Sequence, residues 1–252
     1  MYRAGLGSGQ RSHQRGGFTP SLASTLLALI AAALCVRLGF WQWQRGSTAQ
    51  AEWTRFARGT DRLLELGRAP VDGLPLFQRV AVTGELDGTH QFLLDNRSLR
   101  GRPGYEVLTP LRRAANPPLL IDRGWVPFTG SRAQLPQVSL NAPECVSLTG
   151  RLADLPSPGL ASGRVAPDPR APWPKLASFP SLGQLAAAFG APLAPRILLL
   201  DPQVSFGYAR EWQPPGMSPL RHFAYAIQWW CFAALALAVW AVMGARRARG
   251  VP

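Results

Sequence analysis

Two apolar runs, one close to each end, constrain this chain more than any other feature. Residues 20–40, PSLASTLLALIAAALCVRLGF, hold a single charge, Arg37, and residues 223–243 hold Gln228 as their only strongly polar side chain. A bilayer core needs about 20 residues of helix, so each run is long enough to cross one. Arg37 lies near the end of its run, where its aliphatic stem lets the charge reach the interface. A cleaved signal peptide competes for the first run, because AAAL offers small residues. The run is longer than a signal core, however, and continues into aromatics. Lipid attachment at Cys35 is a second competitor, and Leu34 before it is larger than such processing accepts.

The charge distribution fits the same frame. The 252 residues carry 27 Lys and Arg against 14 Asp and Glu, a net charge of +13 that alone would invite a nucleic-acid partner. Its placement argues otherwise. Arg3, Arg11 and Arg15 precede the first run and Arg246, Arg247 and Arg249 follow the second, with no acid among them. All 14 acids lie between Trp43 and Met217 beside 19 of the basic residues, which leaves that stretch only about +5. The positive-inside rule puts both ends in the cytoplasm and exports the middle. The expected order is a basic tail (1–18), a transmembrane helix (19–43), an exported domain (44–218), a second transmembrane helix (219–243) and a basic tail (244–252).

The exported part reads as mainly β. After the first run, GSTAQAEWTRFARGTDRLLELG has helical composition with Gly67 to end it. Then RVAVTGEL (79–86), HQFLLDNR (90–97), YEVLTPL (105–111), PLLIDRGW (118–125), CVSLTGRL (145–152) and RILLLD (196–201) are short β-prone runs between turn residues. They predict a compact antiparallel sheet or small barrel, hence an α+β membrane protein with two helices flanking a β domain. Residues 156–180 contain seven prolines, which cannot donate to a ladder, and predict an exposed loop. Ser181 and Gln184 stand at capping-box spacing and Gly190 offers a stop, so residues 181–190 predict a short helix.

Chemistry-bearing residues are sparse. Cys35 and Cys231 fall in the apolar runs and Cys145 stands alone in the exported part, so that part has no disulfide of its own. Met1, Met217 and Met243 are the only methionines and no Cys-x-x-Cys occurs, which leaves no copper-ligating set. His13 lies in the polar tail, and His90 has Asp87 and Asp95 nearby without a nucleophile signature. Phosphate-loop glycine patterns are absent, and the reading is of a non-enzyme.

The inner ends of the two runs are the exception. Leu38, Trp41, Gln42 and Arg45 recur at i, i+3, i+4 and i+7, and His222, Tyr225 and Trp229 at i, i+3 and i+7 with Gln228 adjoining. Aromatic, arginine and histidine side chains also populate membrane interfaces for no other reason. Gln228 lies deeper, where its amide needs a neighbouring helix or a polar ligand.

Four blocks now stand in order: LGFWQWQR (38–45), DNRSLRGRPGYEVLTPL (95–111), IDRGWVP (121–127) and MSPLRHFAYAIQWW (217–230). Together they resemble the signature segments of the surfeit locus protein 1 family, in a bacterial member. The resemblance leaves out only the proline-rich loop and the two tails. It implies an assembly factor for cytochrome c oxidase in the bacterial inner membrane, with its central domain periplasmic. The partners it implies are the oxidase's large catalytic subunit, haem a synthase and the bilayer, and no nucleic acid. It also implies transient haem a, with His222 as the axial ligand. Trp41, Tyr225 and Trp229 would wall the macrocycle, Arg45 and Arg221 meet its propionates, and Gln42 and Gln228 complete the set, Gln228 by tying the helices together. Arg97, Gly104, Tyr105, Arg123, Gly124 and Trp125 are candidate partner contacts; Tyr105 and Trp125 equally suit packing the domain onto the membrane surface. The alternative function is a scaffold that holds the oxidase subunit without ligating iron.

Overall fold

A computed structural model describes residues 18, 20–58, 62–140, 145–157 and 163–248. Arg3, Arg11, Arg15 and His13 of the first tail, Arg249 of the second and residues 158–162 of the proline-rich loop lie outside the described residues. The chain divides into two compact units, residues 1–50 with 217–252 and residues 51–216.

The first unit is a pair of helices. Helix α1 (Leu22–Arg58) takes up the first apolar run and continues unbroken well past it. Helix α3 (Pro219–Ala248) begins at Pro219, a residue suited to the first turn because its missing N–H would be unpaired there anyway. Both are long and apolar enough to cross a membrane. Only 17% and 11% of their most apolar windows are buried, so neither is the core helix of a globular fold. They run antiparallel along a seam of small residues. On α1 Ala28, Ala32, Gly39 and Gly46 are buried at spacings of four and seven, and on α3 Ala226, Ala233 and Gly244 answer them.

The second unit is built on a mixed sheet. Its strands are β1 (Leu64–Glu65), β2 (Arg79–Leu86), β3 (Phe92–Leu99), β4 (Arg102–Arg113), β5 (Asn116–Pro127), β6 (Val146–Ala153), β7 (Lys175–Ala177) and β8 (Ile197–Leu200), with helix α2 (Leu182–Phe189) between the last two. The sheet order is β1-β2-β6-β8-β5-β4-β3-β7. A further pairing of β2 with β4, at Glu85 with Arg112 and Leu86 with Leu111, closes five of these strands into a small barrel. Alternate residues of the ring fill it: Val80 and Val82 of β2, Leu119 and Ile121 of β5, Leu148 of β6 and Leu198 of β8 belong to one buried cluster. Outside the ring, Leu185 of α2 packs with Phe92, Leu94, Leu108, Leu120 and Ile197. β5 is covered on both faces, which is why residues 119–124 are buried without alternation.

Three expectations change. The sheet is not simply antiparallel, because β1–β2, β3–β7 and β5–β8 are parallel. These short strands reach the sheet after crossovers, and α2 supplies one of them. The helical reading of residues 46–67 ends too late, since α1 stops at Arg58 and Leu64–Glu65 joins β2. The proline-rich segment is not wholly an exposed loop either. None of its prolines falls within β7, which pairs with β3, and Trp173 packs edge-on against Phe92 at 5.1 Å. Buried Lys175 donates to the carbonyls of Asp168 at 3.0 Å and Pro169 at 2.6 Å. Helix α2 is as expected: Ser181 Oγ accepts from the Gln184 N–H, the Gln184 side chain returns to Ser181 N–H, and Gly190 closes the helix at φ 86°.

Candidate functional site

In the helix pair the small residues bring two aromatic-rich helices close. A Cβ on Gly39 would overlap the Trp230 indole, and one on Gly46 would lie 2.7 Å from the Phe223 ring. Phe40, Trp43, Phe223 and Trp230 then interlock along one flank, with centroid distances of 5.6, 4.8 and 5.8 Å for Phe40–Trp230, Trp43–Phe223 and Trp43–Trp230. Two polar ties pin the pair at its ends. The Trp240 indole N–H donates to Thr25 Oγ1 at 3.0 Å, and His222 Nδ1 meets Gln42 Oε1 at 2.9 Å.

The second tie orients the His222 ring. An amide oxygen can only accept, so in this contact Nδ1 is the donor. The imidazole is therefore held in one orientation, and Nε2 has no partner among the described residues.

His222 shares its side of α3 with two of the other sequence-derived residues. At about 100° per residue, Trp229 and Tyr225 lie within about 60° of His222 around α3, and Gln228 lies about 120° away. Trp229 is half-buried, with its ring 5.8 Å from that of Phe232, while Tyr225 is 45% exposed. On α1 Trp41 is 50% exposed, and Arg45 is exposed beside half-buried Gln42. Arg221 is exposed next to His222. Gln228 is exposed, so it does not join the two helices; the helical turn aims it away from α1, and the amide that makes the tie is Gln42. Gly39 and Gly46, which permit the approach, were not picked out by the sequence reading. Their signal was the run of small residues at 28, 32, 39 and 46.

In the β unit the arginine, glycine and tryptophan motifs are mostly interior. Tyr105 is fully buried with Leu93, Val107, Val126 and Val138. Burial is the main cause that raises its pKa, with Asp95 adding to it. Buried Arg123 donates to the Phe206 carbonyl at 2.5 Å and to Gln91 Oε1 at 2.8 Å, and lies 4.9 Å over the Tyr208 ring. Its own burial lowers its pKa. A Cβ on Gly104 would overlap the Trp125 indole, and at Gly124, φ 109°, one would come within 2.7 Å of the Ala209 carbonyl oxygen. Gly104, Tyr105, Arg123 and Gly124 are thus corrected from surface contacts to internal packing, because each side chain or backbone approach is spent inside the barrel wall. Half-buried Arg97 and Trp125 keep some surface. Arg97 Nε lies 3.0 Å from Glu106 Oε2.

A sequence profile of the SURF1 family matches residues 29–234, most of the chain from α1 into α3. The chain belongs to the SURF1 family. Uncharacterised SURF1-like proteins of Mycobacterium bovis and Mycobacterium tuberculosis are 32% identical to it over 163 residues. That match covers 64% of this chain and 57% of the mycobacterial proteins, so it spans little more than half their length. Within the SURF1 match fall Gln42, His222 and both interior motifs, together with the glycines that seat the helix pair.

Proposed function

We propose that this SURF1-family chain is a membrane-bound assembly factor for cytochrome c oxidase that takes up haem a through His222 and delivers it toward the large catalytic subunit. The observation that supports this reading most is the His222 Nδ1 to Gln42 Oε1 bond at 2.9 Å, which orients the imidazole and leaves Nε2 without a partner among the described residues. The residues around it suit the group. Trp229 and Tyr225 offer aromatic surface, Arg45 and Arg221 offer cations to propionates, and the apolar faces of α1 and α3 suit a hydrocarbon tail. When bound, haem would supply an iron centre that accepts the imidazole nitrogen, and the protein's part is to hold, orient and release it. The resemblance-derived setting is the bacterial inner membrane, with both termini cytoplasmic, residues 44–218 periplasmic and haem a synthase as the donor partner. The proposed role is non-enzymatic.

The test is haem content. Full-length protein purified from cells making haem a should carry haem visible in its absorption spectrum and recoverable by extraction. His222→Ala should lose most of it while the protein reaches the membrane at normal abundance. Gln42→Leu should lose less, since it frees the ring without removing the ligand. Haem content unchanged in His222→Ala, or no haem on the unmutated protein, would favour the scaffold that holds the subunit without ligating iron.

A further inference from the structure

On the outer face of the barrel a cavity of about 300 Å³ opens between the wall of β3, β4, β5, β6 and β8 and the segments 153–157 and 212–215. The charged groups lining it are Arg97 from β3, Glu106 from β4, Asp122 from β5 and Asp154 just after β6. Leu155, Trp212 and Phe77 supply apolar wall. The charges do not balance inside. Arg97 is committed to Glu106, with Nε 3.0 Å from Oε2, and its guanidinium also lies 5.2 Å from the Phe179 ring. Asp154 sits at the rim, exposed and paired with Arg196. Asp122 is 1% exposed, and its one hydrogen-bond partner among the described residues is the Gly124 N–H, which reaches Oδ1 at 3.0 Å. Asp122 lines the cavity, and among the described residues no donor reaches its second oxygen, which is costly for a buried carboxyl.

We propose that this cavity is a recognition site for an organic cation on an aliphatic stem, the alkylguanidinium or alkylammonium end of an arginine, lysine or free amine, with Asp122 as the anionic anchor. The apolar wall takes the stem, and the open Asp122 oxygen takes the N–H groups. Arg97 and Glu106 neutralise one another and position the wall. Without a cation, burial and then the neighbouring Glu106 push the Asp122 pKa well up, and burial raises that of Glu106 as well. A proton and an arriving cation therefore compete for this carboxyl.

Full-length protein in detergent micelles, titrated calorimetrically with agmatine at neutral pH, should give saturable heat that differs between phosphate and Tris buffers because a proton is released. Asp122→Asn keeps the acceptor for the Gly124 N–H and removes the charge, and should weaken binding about tenfold or more. Glu106→Gln should leave agmatine bound and reduce the proton release, since Asp122 then ionises more readily. Asp154→Asn should change affinity less than about twofold, because an exposed charge is screened. A blocked Gly-Arg-Gly tripeptide titrated alongside separates the sources. Tighter binding of the peptide identifies a partner polypeptide, and tighter binding of agmatine identifies a free amine. No saturable heat with either probe, or equal affinity in Asp122→Asn with its far-UV spectrum intact, overturns the assignment.

Discussion

Gly39 and Gly46 set how closely the two apolar helices approach, because Trp230 and Phe223 occupy the space a side chain would need. Gly39→Leu should cost about 1–3 kcal/mol in the helix pair through overpacking, read as a lower melting midpoint of the detergent-purified protein. Gly124 is fixed for two reasons, its φ of 109° and the Ala209 carbonyl oxygen that an added Cβ would meet at 2.7 Å. Gly124→Ala should therefore lose about 1–3 kcal/mol of stability in denaturant titration, and a result within about 0.5 kcal/mol of the parent would refute that account. Asp87 gives a pH signature. Burial alone would raise its pKa, but hydrogen bonds from Thr89, Arg112 and His90 outweigh that and hold it well below the usual carboxylate range. The unfolded carboxyl titrates near about 3.9, so the stability from this group is fully present above that pH and is lost as pH falls below it. Asp87→Asn should flatten the stability profile between about pH 4 and pH 2, with little effect on its slope near neutrality.

At the scale of elements, α2 is short enough to depend on its ends. Its eight residues gain little from propensity, so the reciprocal Ser181–Gln184 bonds and the left-handed Gly190 hold it against Phe92 and Leu94. Ser181→Ala should destabilise the unit by about 1 kcal/mol in urea unfolding. β7 is held differently, by parallel pairing of Lys175, Leu176 and Ala177 with β3 and by the Lys175 ammonium on two loop carbonyls. Limited proteolysis should therefore spare the bonds around Lys175 in the native protein. Rapid cleavage there would contradict the packing of this segment.

The whole molecule presents two units whose demands differ, an apolar helix pair and a closed β barrel. The charge bias and the resemblance set the expected topology. Alkaline phosphatase fused after Gly163 should be active and the same fusion after Arg249 inactive; the reverse pattern would remove the periplasmic setting of the proposed haem site. Deletion of the gene should lower active oxidase of the type that uses haem a while sparing oxidases without that haem. Equal loss of both types would point to a general membrane defect.

Periodicity and composition by themselves determined the two apolar helices, the main strand runs, the capped helix after the proline-rich segment and the placement of His222 beside Tyr225 and Trp229. All of these depend on neighbours a few residues apart, where spacing alone selects a face. Barrel closure, the parallel strands, the cavity beside Asp122 and the choice of Gln42 over Gln228 as the partner of His222 came only from tertiary structure. Each joins residues far apart in the chain, as Gln42 and His222 are, and the sequence does not encode which donors and acceptors face each other once separate elements have packed. The motif arginine Arg123 shows the same limit: it reads as a surface contact in one dimension, and burial against Gln91, Phe206 and Tyr208 makes it part of the wall.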